Sequence, residues 1–142
     1  MTAAHDRFFP LVVSDHAGPM TVEAYLGELD AWERLLGRGE PLVLLRIFRT
    51  LDALQPPPSG QQEAARWLSD RRPLLSRLLL GMAVVVPPQA LPQMTAMDMS
   101  KVFGAPVGSF DDLAEALAWL DGRLVASGQA AVDRDAVLAA LA

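Results

Sequence analysis

Two arginines and two polar residues stand in and just after the most apolar stretch of the chain, and they are the first candidates for binding chemistry. The candidate binding residues are Arg46, Arg49, Thr50 and Asp52. A guanidinium buried without a partner is costly, so Arg46 must reach a carboxylate, a crevice or solvent. Its planar fork suits carboxylates. We interpret the set either as a site for an anionic ligand or partner, or as internal ion pairing of Arg46 with Asp15 or Asp52.

Catalytic residue types occur together only at Ser14, Asp15 and His16. Consecutive residues do not form the geometry of a catalytic triad, so we interpret them as a polar turn after the first strand. The two histidines, His5 and His16, have no nearby carboxylate cluster at ligand spacing, which predicts no zinc site. Glycine-rich phosphate-binding patterns are absent from the sequence. We expect no cofactor and no enzymatic activity.

A second candidate surface is apolar and comes from leucines and methionines in the middle of the chain. Methionines at helical spacing are soft enough to bind copper(I), but they more often fill gaps in a core. There are more leucines here than one helix face needs. This leaves core packing, a lipid-sized cavity and a dimer or partner contact as alternatives. The residues in question are Leu75, Leu78, Leu79, Met94 and Met97.

Ser59 follows three prolines and precedes an apolar pattern of helical spacing. Together with Gln62 it matches a capping box that would open a helix. A phosphate at a helix N-terminus is also favoured by the helix dipole. Ser59 is therefore predicted to be a helix cap, with a phosphorylation site as the alternative.

Composition sets the class of protein in which these residues work. The chain has 142 residues, 51% of them apolar and 20% charged, which predicts one globular domain. A net charge of -5 argues against nucleic acid as a partner. The sequence has no cysteine, and its longest apolar region, residues 74–86, is shorter than the roughly 20 residues that span a bilayer. We expect a cytoplasmic protein without a membrane span.

Periodicity supplies the elements that would position the candidate residues. Apolar runs of strand length occur at residues 8–13, 42–48 and 82–86, with a further short strand at 101–103 or at 106–110. Helical spacing occurs from Thr21 to Gly37, from Ser59 to a kink or a break near Asp70, over 73–80 up to a stop at Gly81, and over 89–103, 113–124 and 133–141. In the first helix, Glu28 and Glu33 are predicted to point outward. Ser109 or Asp111 is predicted to cap the helix over 113–124.

This order resembles the SpoIIAA-like, STAS-type domains, including their little-characterised bacterial members. The resemblance covers residues 8–124 and lies in five pieces: GPMT at 18–21, the strand at 42–48, EAARWL at 63–68, MAVVV at 82–86 and SFDDLAEALAWL at 109–120. It implies a regulatory module that acts through protein contacts. It also implies a phosphorylated residue opening the second helix, for which Ser59 is the nearest candidate.

Together these observations predict a single α/β domain with a mostly parallel sheet of four to five strands and helices packed on it. Residues 1–7 would be a flexible N-terminus, 8–124 the domain, and 125–142 a tail with a short helix. The leading interpretation is a non-enzymatic cytoplasmic binding or regulatory module with a protein partner, and self-association stays open. The alternative is a carrier or sensor of a small amphipathic or lipid-like ligand whose acidic head group meets Arg46 or Arg49.

Overall fold

A five-stranded mixed sheet forms the centre of the molecule. The computed structural model describes residues 5–141 as one α/β domain. The strands are β1 (His5–Phe8), β2 (Leu11–His16), β3 (Leu42–Phe48), β4 (Leu79–Val85) and β5 (Val107–Phe110). They lie in the order β1-β2-β3-β4-β5. The β1–β2 pair is antiparallel, and the three other pairs are parallel.

Helices cover both faces of this sheet. They are α1 (Val22–Leu36), α2 (Gln61–Leu78), α3 (Leu91–Ala96), α4 (Met99–Phe103), α5 (Leu113–Ala126) and α6 (Arg134–Leu141). The helices α1 to α4 pack into one apolar core, and α5 and α6 pack into the other. The connections through α1, α2 and the α3–α4 pair all lie on the same face of the sheet. This is expected where right-handed connections add each new parallel strand on the same side of the one before.

Alternation along β3 divides its side chains between the two cores. Leu44 and Phe48 belong to the core under α1 and α2, whereas Leu45 and Ile47 belong to the core under α5 and α6. Side chains that alternate along a strand point to opposite faces of the sheet. The face beneath α1 and α2 is therefore the one that carries Arg46.

The first helix begins where the sequence predicts. The Thr21 hydroxyl oxygen accepts a hydrogen bond from the Ala24 backbone N–H at 3.1 Å. The helix ends at Leu36, and Gly37 is its C-cap. The predicted central strand at 42–48 is likewise confirmed as β3.

The predicted first strand at 8–13 is wrong, because the chain forms a hairpin there. Residues 5–8 are β1, the turn contains Phe9 and Pro10, and β2 starts at Leu11. Proline has no N–H for a strand ladder, so it lies in the turn rather than in either strand. Residues 5–7, predicted to be part of a flexible terminus, pair with β2. Residues 1–4 lie outside the described residues.

Of the kink or break predicted near Asp70, the break is wrong, since α2 is one continuous helix through Pro73. Pro73 is exposed on the outer side of the helix. The helix ends at Leu78, and Leu79 already pairs with Leu42 of β3. Gly81 is a strand residue and not a helix stop: a Cβ there would lie 3.0 Å from Arg123 Cγ and 3.3 Å from the Trp119 ring, so α5 packs against the space that glycine leaves.

The segment at 89–103 forms two short helices rather than one. A break at residues 97 and 98 separates α3 from α4, and residues 101–103, one of the two predicted positions for a short strand, belong to α4. The strand is β5, at the second of those positions. Asp112, not Ser109 or Asp111, caps α5, with its carboxylate oxygen accepting from the Glu115 backbone N–H at 3.3 Å.

The C-terminal helix α6, which lies in the segment predicted to be a tail with a short helix, packs into one of the two cores. Val137 and Leu141 of α6 are buried in the core beneath α5. Asp121 of α5 accepts a hydrogen bond from the Val132 backbone N–H at 3.0 Å and forms an ion pair with Arg134, whose Nε lies 3.1 Å away, so it positions the start of this helix. Across residues 5–141, none of the helices combines the length and the apolar character that crossing a membrane requires.

Candidate functional site

A buried ionic cluster lies where α1 crosses the ends of β2 and β3. Arg46 donates to Glu28 through two atoms, Nε to Oε2 at 3.0 Å and Nη2 to Oε1 at 2.6 Å. His16 Nε2 lies 3.1 Å from the same Oε2. The side chain of Glu28 is 2% exposed and that of Arg46 is 14% exposed. A single buried carboxylate therefore holds a bidentate arginine and a histidine.

This geometry corrects three predictions. Glu28, predicted to point outward from α1, is buried against the sheet. Neither Asp15 nor Asp52 is the partner of Arg46. His16 is the last residue of β2 and not part of a polar turn, and it is itself buried.

The charge on Glu28 is stabilised by its partners. Burial raises the pKa of this carboxyl, but the Arg46 charge and the hydrogen bonds from His16 and Arg46 outweigh that effect and lower it from 4.5 to about 2. The carboxylate is therefore ionised throughout the neutral range. It offsets the positive charge of Arg46.

Aromatic rings enclose the guanidinium on this face of the sheet. Arg46 Cζ lies 5.2 Å from the centre of the Trp32 ring and 4.9 Å from that of Phe48. The His16 ring stacks on Phe48 with centroids 5.2 Å apart. Cation–π contacts of this kind hold the guanidinium plane in place.

Arg46 lies on the wall of a crevice of about 390 Å³ that opens at the carboxyl ends of β3 and β4. The loop after β3, the start of α1 and the α3–α4 segment complete its walls. Its lining includes Met20, Tyr25, Arg46, Phe48, Leu54, Gln55, Val84, Gln93, Met94, Met97 and Met99. A second cleft of about 160 Å³ lies beside it and shares Tyr25, Arg46 and Met99. The Arg46 side chain is therefore part of the wall of both spaces.

The structure divides the predicted apolar set. Met94 and Met97 line the crevice. Leu75, Leu78 and Leu79 are buried in the core, where they belong to no outer surface. The leucines pack between α2 and the sheet, which is the core-packing alternative.

Arg49 serves a different face of the sheet from Arg46. Its guanidinium donates to Asp15 through Nε at 2.9 Å and Nη2 at 2.8 Å, and Nη2 also donates to the Leu141 carbonyl at 2.8 Å. The hydrogen bonds to Asp15 raise the pKa of Arg49 above its ordinary value. Arg49 thus ties the end of α6 to β2, and the four predicted binding residues do not form one site.

Thr50 and Asp52 join two loops at the edge of the sheet. The Thr50 hydroxyl donates to Asp52 Oδ1 at 2.5 Å and accepts from the Gly18 backbone N–H at 2.9 Å. The β2–α1 turn is thereby held against the loop after β3. Neither residue is among those that line the crevice.

Ser59 is not the cap of α2. The N-cap is Gly60, whose φ of 88° lies in the left-handed region that favours glycine, and no side chain caps the helix. Gln61 Nε2 instead donates to the Pro57 carbonyl at 2.8 Å. Ser59 stays a predicted phosphorylation site, on the surface before the helix.

Sequence reasoning missed Glu28, His16 and the aromatic walls, although one signal was present. Glu28 stands between Tyr25 and Trp32 on the apolar face of α1, and a strand with a lone buried arginine requires a carboxylate partner. Matching that buried cation to the acid on the apolar face of the preceding helix would have identified the pair.

The crevice is mostly apolar and carries few polar side chains. Over residues 5–141 no group of three or more His, Asp or Glu side chains could hold a metal ion. Comparison with family models, with curated proteins and with solved structures found no match for this chain. The geometry alone therefore supports the functional argument: a mostly apolar crevice with a few convergent polar groups.

Proposed function

We propose that this chain is a binding module that holds a small amphipathic molecule in the crevice beside Arg46. The observation that carries the proposal is the crevice itself. Its volume, about 390 Å³, lies within the range of small-molecule pockets, roughly 300–1,000 Å³. Methionine and aromatic side chains form much of its wall, and the polar groups are few.

The side chains that line the crevice favour a carrier or sensor over a catalyst. Methionine side chains are flexible and polarisable, so they adapt to ligands of different shape. Four of them, Met20, Met94, Met97 and Met99, contribute to the crevice. We propose no chemical step at this site, and we propose that ligand binding is its whole activity.

Native mass spectrometry of protein purified from cells tests the proposal. The wild type is expected to carry a small organic molecule. Met94→Asp, which places a charge in the crevice, is expected to lose it, whereas the matched control Val125→Asp, at a position 58% exposed on α5, retains it. Bare protein in every preparation, together with no saturable binding of an added ten-carbon amide or acid, would contradict the proposal.

A second candidate function is regulation through protein contacts, which the resemblance to STAS-type domains implies. The alternation of strands and helices over residues 8–124 supports that assignment as a proposal. Two exposed apolar side chains beside the crevice and cleft favour a contact there, Met97 at 55% and Val102 at 38% exposure. Affinity capture should then recover a partner with wild type and with Val125→Asp, and lose it with Met97→Asp. A partner captured equally by all three proteins would argue against this surface.

A further inference from the structure

We propose that the crevice selects an uncharged amphipathic molecule, one with an amide, ester, ketone or alcohol head group, over an anionic one. This inference rests on the proposed ligand-binding function and specifies its ligand class. It reverses the expectation that Arg46 meets an acidic head group. Arg46 is already paired, because Glu28 occupies two of its donors with bonds of 3.0 and 2.6 Å.

An anionic head group would find no uncompensated positive charge in the crevice. Among the described residues that line it, Arg46 is the one with a charged side chain. Arg49, the nearest arginine along the chain, binds Asp15 and the Leu141 carbonyl instead. A ligand carboxylate beside Arg46 would stand close to the Glu28 carboxylate, and like charges in a poorly solvated site repel strongly.

Glu28 cannot make room for such a ligand by turning to solvent. Its side chain is 2% exposed, points from α1 towards the sheet and contacts His16 as well as Arg46. Displacing it would leave a buried carboxylate without its main partner, which is costly. The ion pair therefore acts as a neutral, polar part of the wall.

The remaining polar groups suit an uncharged head group. Tyr25, Gln55 and Gln93 offer a hydroxyl and two amides, which both donate and accept hydrogen bonds.

Decanamide and decanoate form the matched pair of probes, because they share a chain and differ in head-group charge at neutral pH. Isothermal titration calorimetry of the wild type is expected to show decanamide binding at least about tenfold more tightly than decanoate. In Glu28→Gln, where the charge of Arg46 is no longer offset, the ratio is expected to shift towards decanoate by about tenfold or more.

The outcomes separate the two proposals. Decanoate binding as tightly as decanamide, or more tightly, in the wild type would overturn the inference and leave the ligand-binding function standing. Saturable binding of neither probe would overturn both. A folded Glu28→Gln protein with an unchanged ratio would also overturn the inference. If that variant does not fold, the wild-type comparison decides alone.

Discussion

Glu28 is the residue on which the site depends, because it satisfies two partners that would otherwise be buried alone. Arg46 approaches it from β3 and His16 from β2, while Glu28 itself comes from α1. Breaking a buried pair by removing one partner costs about 3–5 kcal/mol, far more than an exposed pair contributes. The cluster fixes how α1 sits on the sheet, and it fixes the orientation of the Arg46 guanidinium in the crevice wall.

The pH dependence of stability follows from the lowered pKa of Glu28. Its folded pKa of about 2 lies below its ordinary 4.5, so the ionised form stabilises the fold fully above pH 4.5 and this contribution is lost as the pH falls towards 2. Glu28→Gln is expected to lower the free energy of unfolding by about 3 kcal/mol at pH 7. The difference from wild type should shrink as the pH falls below 4.5, as measured by urea denaturation.

Asp30→Asn is the control for that experiment, since Asp30 is exposed on the same helix. It is expected to change the free energy of unfolding by less than about 0.5 kcal/mol at either pH. A Glu28→Gln effect that is small at pH 7, or that is the same at pH 3, would contradict the role assigned to this carboxylate.

A double-mutant cycle measures how strongly Glu28 and Arg46 depend on each other. Each single substitution, Glu28→Leu or Arg46→Leu, leaves one charge buried without its partner, whereas the double variant removes both charges. The free energy of unfolding of the double variant, measured by chemical denaturation, is expected to fall by about 2 kcal/mol less than the two single losses added together. Additive losses would mean that the pair is not energetically coupled.

At the scale of elements, local chemistry predicted α1 and β3 and failed where distant contacts decide. The Thr21 cap and the apolar run of β3 are properties of neighbouring residues, so they could be predicted from the sequence. The start of β4 at Leu79 depends on pairing with Leu42, which is remote in sequence. The burial of Glu28 depends on Arg46 and His16 in the same way. The sequence therefore indicated Arg46 as a candidate but not its partner.

Pro73 gives a test at the same scale, because it lies inside α2 and is exposed. Proline there lacks the N–H that would bond to the Ser69 carbonyl, and it is about 3 kcal/mol worse than alanine in a helix interior. Proline also restricts the unfolded chain, and losing that restriction offsets part of the gain. Pro73→Ala is therefore expected to raise the free energy of unfolding by about 2 kcal/mol.

Thermal unfolding followed by circular dichroism measures the change, with Arg72→Ala as the control at the exposed neighbouring position. A fall in the melting temperature for Pro73→Ala would contradict the expectation. It would show that the proline shapes α2 in a way the rest of the fold requires.

At the scale of the whole molecule, the sheet separates the face with the crevice from the face that α5 and α6 cover. Helices α1 to α4 and their loops form the face with the crevice, while α5 and α6 close the opposite face. Arg46 and Arg49 are three residues apart, yet Arg46 binds Glu28 of α1 on one face and Arg49 contacts the end of α6 on the other. The sequence placed them in one candidate site because nothing local shows which way each side chain points once the strand ends.

The core on the α5–α6 face can be tested at Val137, a fully buried residue of α6. Val137→Ala is expected to lower the free energy of unfolding by about 2 kcal/mol, from lost apolar burial and the cavity left behind. The control Val125→Ala, at an exposed position, should cost less than about 0.5 kcal/mol. Ligand binding in the crevice should be unchanged in both variants. Equal stability of the two variants would contradict the assignment of α6 to the core.

The order of the strands in the sheet is also their order in the chain. Each strand after β1 therefore pairs with the strand made just before it. Pairing between consecutive strands keeps their separation in sequence smaller than pairing between non-consecutive strands would, although parallel partners such as Leu42 and Leu79 are still remote in sequence. We expect the domain to assemble progressively during synthesis, from the β1–β2 hairpin towards α6. Glu28 would then be made before Arg46, so the site would be completed only when β3 joins the sheet.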